Sequence, residues 1–151
     1  MNGPLHSGTL SPFTIHHSLP PMRFHTRKWI KPEDLNANGT LFGGRLLEWI
    51  DEEAALYAII QLENPRTVTK LISEIDFVSS AKQGDIIEIG IEPVKFGNSS
   101  LTLRCEVRNK MTRKTIITID RIVMVSMDEQ GRPKAHGKTQ IEYVKDRLKE
   151  D

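Results

Sequence analysis

Two neighbouring stretches hold residues whose types and spacing could do chemistry. The first is Asn36-Ala37-Asn38-Gly39-Thr40-Leu41-Phe42-Gly43-Gly44, which leads into a long run of helix formers. A helix N-terminus exposes unpaired N–H groups and carries positive dipole character. Glycine lets a ligand approach those groups closely. Such a place can polarise a carbonyl oxygen or hold an anion, although glycines that serve only a tight turn and close helix packing leave the same pattern. The second is Asp51, in the middle of that run. Its neighbours one turn away are Leu47, Glu48, Ala54 and Ala55, and the two alanines leave room beside the carboxylate. A carboxylate on a buried helix costs free energy unless something binds it, which makes it a candidate general base or nucleophile. A satisfied structural aspartate fits the spacing as well. Glu53, between Trp49, Ile50, Leu56 and Tyr57, is flanked in a similar way, so the pattern alone does not single out Asp51.

The elements that must position these groups are one helix and several strands. From Gly43 to about Leu62 there is no proline, and Pro65 lies just beyond as a stop signal. Apolar residues occupy nearly all sides of this helix, which predicts a buried one, with Arg45, Glu48 and Glu52 as its polar stripe. Arg23 to Ile30 reads as a weak first strand. Thr67 to Val78 is rich in Val, Ile, Thr and Phe. Ile87, Ile89 and Ile91 alternate with Glu88, Gly90 and Glu92, and Leu101, Leu103, Cys105 and Val107 alternate with polar residues, as half-buried strands do. Thr115 to Met127 is a long β-branched run. Gly97-Asn98 and Asn109 to Lys114 read as turns, making the later strands antiparallel neighbours. The expected class is α+β, an antiparallel sheet of about five strands wrapped around one long central helix. Cys105 falls on the inward face, as a small core residue rather than a nucleophile.

Length and composition narrow the field. The 151 residues suit one domain, with 38% hydrophobic and 27% charged residues. A net charge of +1 implies no bulk attraction to nucleic acid or acidic membranes. Cys105 is the one cysteine, so no internal disulfide can form. No apolar run approaches the roughly 20 residues needed to span a bilayer, and the first residues lack a signal-peptide pattern. Residues 1–21, rich in Ser, Pro, Gly and His, read as an expression tag or weakly ordered leader, with Met22 as the native start. Their His16-His17 pair has no third ligand at a sensible spacing for a metal. Residues 22–128 are the expected domain. Residues 129–151 are a charged C-terminal tail, with room for a short amphipathic helix near Ile141 to Leu148.

The run from Asn36 through Phe42-Gly43-Gly44 to Asp51-Glu-Glu-Ala-Ala resembles the helix entrance of the hotdog-fold acyl-CoA thioesterases, the acyl-CoA hydrolase branch with bacterial and animal cytosolic members. That pattern has an Asn, a small loop with glycine, an aromatic or His before Gly-Gly, and an acid on the helix. Phe42 stands where many relatives have His, a substitution common to one bacterial subgroup. The similarity covers roughly Arg23 to Met127. The resemblance implies a mechanism: the thioester carbonyl points at the N–H groups of Gly43 or Gly44, with Phe42 beside it. Asp51 activates water or attacks directly to give a mixed anhydride, and Asn36 of a partner chain positions the water or thioester. It further implies a cytoplasmic homo-oligomer, a dimer or a trimer of dimers, with sites between protomers. It calls for no metal or redox cofactor, because a thioester is already an activated acyl donor. Coenzyme A needs its own contacts: the turn Phe96-Gly97-Asn98-Ser99-Ser100 could run beside pantetheine, and Lys95, Arg113 and Lys114 are candidate phosphate partners. Leu46, Leu47, Ile50 and Tyr57 are candidates for the acyl tunnel and equally good core residues.

Two rival classes share these features. A hydratase on acyl thioesters would want a His near the helix entrance, yet after Pro21 the histidines are His25 and His136. A non-catalytic acyl-CoA sensor would keep the pocket and dispense with the acid, which the presence of Asp51 disfavours.

Overall fold

The computed structural model of the chain describes residues 22–143. The stretch read as a leader, with His16-His17, and most of the expected C-terminal helix lie outside the described residues. The elements are β1 (Phe24–Trp29), a 3-10 turn (Pro32–Asp34), α1 (Gly43–Leu62), β2 (Val68–Ile72), β3 (Ile75–Phe77), β4 (Ile86–Phe96), β5 (Ser100–Asn109) and β6 (Thr115–Val125). All pairings are antiparallel. The strands run β1-β4-β5-β6-β2, and β3 also pairs with β6, giving a six-stranded sheet. The extra strand comes from a break in the run Thr67 to Val78. At the break the Ser73 N–H donates to the Arg121 carbonyl (2.9 Å), and the Arg121 N–H donates to the Ser73 hydroxyl (3.1 Å).

Helix α1 lies against the inner face of this sheet through Leu46, Ile50, Ala54, Ala58 and Leu62, one residue per turn. The two alanines let the helix axis approach the sheet, where Ile87, Ile89, Leu103, Ile119 and Met124 complete the core. The expectation of a helix buried on all sides is corrected here. Asp51, Glu52, Leu56 and Ile60 are exposed, because a single sheet covers only one face of a helix. The alternation read in β4 also fails. Ile87 to Glu92 is buried on both faces. Glu88 is tied there by Arg108 (2.9 Å) and Lys110 (3.5 Å), and Glu92 accepts the Arg23 N–H (3.0 Å). Strand β5 keeps its alternation, with Cys105 inside. Burial, and then the charges of Glu106 and Glu53, push the Cys105 thiol up to about 12, so it stays protonated and inert.

The charged stretch beyond β6 is held to the body as far as Tyr143. The buried Gln61 donates to the Tyr143 carbonyl (2.6 Å) and accepts from the Glu142 N–H (2.9 Å). Lys138 bridges Glu63 and Glu142, each at 2.9 Å. No helix of the described residues is long and apolar enough to cross a membrane.

Candidate active site

The loop before α1 is closed by its own asparagine. The Asn36 side-chain oxygen Oδ1 accepts the N–H groups of Asn38 (2.9 Å) and Thr40 (3.2 Å), while its side-chain amide Nδ2 donates to the Thr40 hydroxyl (3.0 Å). Gly39 sits at φ 75°, a conformation other residues adopt at a cost, which lets the chain double back. Asn36 is therefore the turn-forming residue of this loop, whatever else it does. The loop delivers Phe42 to the N-cap of α1, where no side chain caps the first turn. Two rings wall the glycines that follow. A Cβ on Gly43 would stand 3.2 Å from the Phe77 ring, and one on Gly44 would stand 2.8 Å from the Phe42 ring. Gly43 opens on a cleft of about 400 Å³ lined by Asn36, Leu46, Phe77, Ser79 and Ala81. Uncapped N–H groups beside a cleft of mixed polar and apolar lining suit a carbonyl oxygen.

Asp51 and Glu53, alike in sequence, lie on opposite flanks of the helix. Asp51 faces edge strand β2, where the Thr69 hydroxyl donates to its Oδ1 at 2.6 Å. Glu53 faces the other edge strand, β1, and accepts the Thr26 hydroxyl at 2.6 Å. Each carboxylate is thus aimed by a threonine, and the hydrogen bond does not separate them. Their surroundings do: Glu53 looks into a cleft of about 270 Å³ beside Tyr57, Gln61 and Tyr143, whereas Asp51 is exposed on the flank beside β2. In the Glu53 cleft, burial and then the charge of Glu92 raise the Tyr57 hydroxyl above the ordinary phenol value, so it remains a donor. Sequence reading missed Thr69. It sits among the β-branched residues of a strand, and nothing in that run marks the one hydroxyl that meets a carboxylate.

The other expected residues divide between the two ends of β5. Gly97, Asn98, Ser99 and Ser100 form the turn between β4 and β5, closed by the Gly97 N–H on the Ser100 carbonyl (2.8 Å), with exposed Lys95 just before it. Ser99 and Ser100 share a cleft with Val68, Thr69 and Val125, which places this turn near the strand that holds Asp51. Arg113, at φ 62°, and Lys114 belong to the opposite turn, closed by the Arg113 N–H on the Asn109 carbonyl (2.8 Å). The 10 residues of β5 separate the two turns, about 30 Å at 3.3 Å per residue. Lys95 cannot join Arg113 and Lys114 on one phosphate group of one chain. Leu46 and Ile50 are in the core, and Tyr57 is on the Glu53 flank.

A model of the thioesterase superfamily matches residues 38–116. An uncharacterized acyl-CoA thioester hydrolase of Buchnera aphidicola subsp. Baizongia pistaciae is 31% identical over 126 residues, spanning 80% of this chain and 93% of its own. The acyl-CoA thioester hydrolase YciA of Escherichia coli K12 is 28% identical over 125 residues, spanning 79% and 94%. Among solved structures, a hexameric thioesterase from Yersinia pestis superposes with a TM-score of 0.71 at 30% identity, covering 78% of this chain and 98% of that one. A hexameric hotdog fold thioesterase of Campylobacter jejuni gives 0.63 at 26% identity, covering 74% and 88%. A six-stranded antiparallel sheet with one long helix on its inner face agrees with these matches: the fold is the hotdog, and the chain belongs to the thioesterase superfamily.

Proposed function

We propose that the chain hydrolyses acyl-CoA thioesters to a carboxylic acid and coenzyme A, at a site made by two copies of the chain. The observation that carries this reading is the pairing of an aimed carboxylate, Asp51 on Thr69, with an uncapped Gly43-Gly44 helix start in one element. The names of the relatives, acyl-CoA thioester hydrolases, support the substrate class. Gly43 and Asp51 lie about 12 Å apart along the helix at 1.5 Å per residue. A thioester carbonyl needs its oxyanion donors and its base each within about 3 Å of the reacting atoms. One helix cannot supply both, so the donors of one copy serve the acid of another.

In this arrangement the Gly43 and Gly44 N–H groups bind the carbonyl oxygen. Asp51 of the partner copy takes a proton from water as its oxygen attacks the carbonyl carbon. The tetrahedral oxyanion collapses, the C–S bond breaks, and the departing sulfur takes the proton back from Asp51. In the alternative route an Asp51 oxygen attacks the carbonyl carbon, and the C–S bond breaks to give a mixed anhydride and the coenzyme A thiolate. Water then hydrolyses the anhydride, freeing Asp51 and the acid, while the proton it releases goes to the thiolate. Thiol release from a panel of acyl-CoAs, followed with a thiol reagent, tests the reading. Asp51→Asn should cut turnover by at least about a hundredfold, and Glu48→Gln and Glu52→Gln, on the solvent stripe, should do little. Turnover near the parent level in folded Asp51→Asn protein would remove Asp51 from the mechanism. Binding without thiol release in the parent would point to a sensor.

A further inference from the structure

We infer that the cleft between β1 and the start of α1 is a binding site for a phosphorylated nucleotide, with the base on Trp29 and the phosphates at Arg27 and Lys28. The cleft, about 430 Å³, is lined by four cations, Arg27, Lys28, Lys31 and Arg45, by two carboxylates, Glu33 and Asp34, and by two indoles, Trp29 and Trp49. Two of the cations are already engaged. Arg45 meets Asp34 (3.5 Å) and Glu48 (3.3 Å), and Lys31 meets Glu33 (3.6 Å). Asp34 is further held by the Lys31 N–H (2.9 Å). Glu88, opposite Arg27 across the strands, is taken by Arg108 and Lys110. Among the described residues, no carboxylate lies within ion-pair distance of Arg27 or Lys28, and the Lys28 ammonium rests over the Trp49 ring at 5.6 Å. Trp29 is 67% exposed, an indole left open beside two unpaired charges.

Each part answers to one part of a nucleotide. A purine stacks on an open indole face, and a diphosphate takes charge-assisted hydrogen bonds from a guanidinium and an ammonium. Two free cations are too few to track a nucleic-acid backbone, whose binding rests on many phosphate contacts. Arg45 lies in the first turn of α1, so the cleft adjoins the Gly43-Gly44 entrance. The nucleotide has two sources: the adenosine bisphosphate end of coenzyme A, which rests on the proposed function, or a free nucleoside diphosphate, which does not.

Trp29 and Trp49 are the chain's only tryptophans, so its indole fluorescence reports on this cleft. Adenosine 3′,5′-bisphosphate, ADP and inorganic pyrophosphate are titrated into the full-length protein at low ionic strength. Both nucleotides should change the emission saturably. Arg27→Gln and Lys28→Gln should each raise their Kd about tenfold, the loss of one charge-assisted contact. Trp29→Ala, still reported by Trp49, should weaken the nucleotides more than pyrophosphate. No saturable change, or affinities that these variants leave alone, overturns the site; circular dichroism shows that the variants are folded. The source is read from kinetics. If coenzyme A fills the cleft, Arg27→Gln and Lys28→Gln raise KM for acyl-CoA and the rise is absent for acyl-pantetheine, which lacks the nucleotide. If a free nucleotide fills it, ADP binding weakens in both variants and KM for acyl-CoA stays put. Protein that binds nucleotides and hydrolyses no thioester would refute the proposed function and leave the site standing.

Discussion

The Thr69 hydroxyl fixes Asp51 through one carboxylate oxygen, Oδ1 at 2.6 Å, on a flank otherwise open. A base held by a single hydrogen bond depends on it for direction. Thr69→Val keeps the shape of the side chain and loses the donor, so kcat should fall about tenfold with KM little changed. A kcat within twofold of the parent would make the hydroxyl idle. Glu53 has an equivalent bond from Thr26 and supplies the control. On the proposed mechanism Glu53→Gln keeps far more activity than Asp51→Asn, and the reverse order in thiol-release assays would move the acid to the β1 flank. Cys105 gives a pH prediction. Its thiol rises from an ordinary 9.0 to about 12 through burial. The folded state therefore favours the neutral form. This stabilises the fold fully below pH 9, and the benefit is lost as pH rises from 9 toward 12. A thiol reagent at pH 8 should label Cys105 quickly in denaturant and hardly at all in the native protein.

Helix α1 carries both the proposed site and part of the core, on different faces. Leu46, Ile50, Ala54, Ala58 and Leu62 bind it to the sheet, and this register turns Asp51 toward β2 and Glu53 toward β1. Ile50, fully buried, should cost about 2–5 kcal/mol when cut to alanine, read by denaturant unfolding. At the C-terminal end, Glu63 caps the helix in the left-handed region at φ 53°. Its carboxylate is held by the Tyr143 hydroxyl (2.7 Å) and by Lys138 (2.9 Å). Gln61 ties the same segment through its buried amide. Gln61→Leu would leave the Tyr143 carbonyl and the Glu142 N–H without that partner, at about 1–3 kcal/mol. An unchanged unfolding midpoint would show that this segment contributes nothing to stability.

A single copy of this molecule leaves large apolar side chains uncovered along the flank of β2 and at the start of α1. Val68 and Leu71 on edge strand β2, Phe77 and Val78 at β3, and Phe42 at the helix start are 39–58% exposed. An edge strand with apolar neighbours invites a second chain. The Yersinia pestis relative is hexameric. The shared-site proposal makes light scattering and mixing decisive. Light scattering should show a homo-oligomer, and an active monomer would contradict the mechanism. Asn36→Ala protein and Asp51→Asn protein should each be nearly dead. After subunit exchange, a random mixture should regain about a quarter of parental sites by the pairing statistics of a symmetric dimer. Because Asn36 also builds its own loop, Asn36→Asp is the needed companion, keeping the acceptor for Asn38 and Thr40 and losing the amide donor. Exchange without recovery would confine both residues to one chain, or reduce Asn36 to its turn.

The sequence by itself determined the helix from Gly43 to Leu62, the four main strands, and the inward place of Cys105. Each of these rests on local periodicity and stop signals, which are properties of neighbours along the chain. The Asn-to-Asp spacing with Gly-Gly between was equally legible and carried the resemblance. Tertiary structure decided what depends on distant pairing. It split one expected strand into β2 and β3, buried Glu88 and Glu92 against Arg108, Lys110 and the Arg23 backbone, and left Asp51 exposed where the helix pattern predicted burial. It separated Lys95 from Arg113 and Lys114 by the length of β5, and it found Thr69 and Thr26 for the two carboxylates. A hydrogen bond across 18 residues, as between Asp51 and Thr69, has no trace in local composition. It follows from which flank of the helix meets which edge of the sheet, and only the folded sheet decides that.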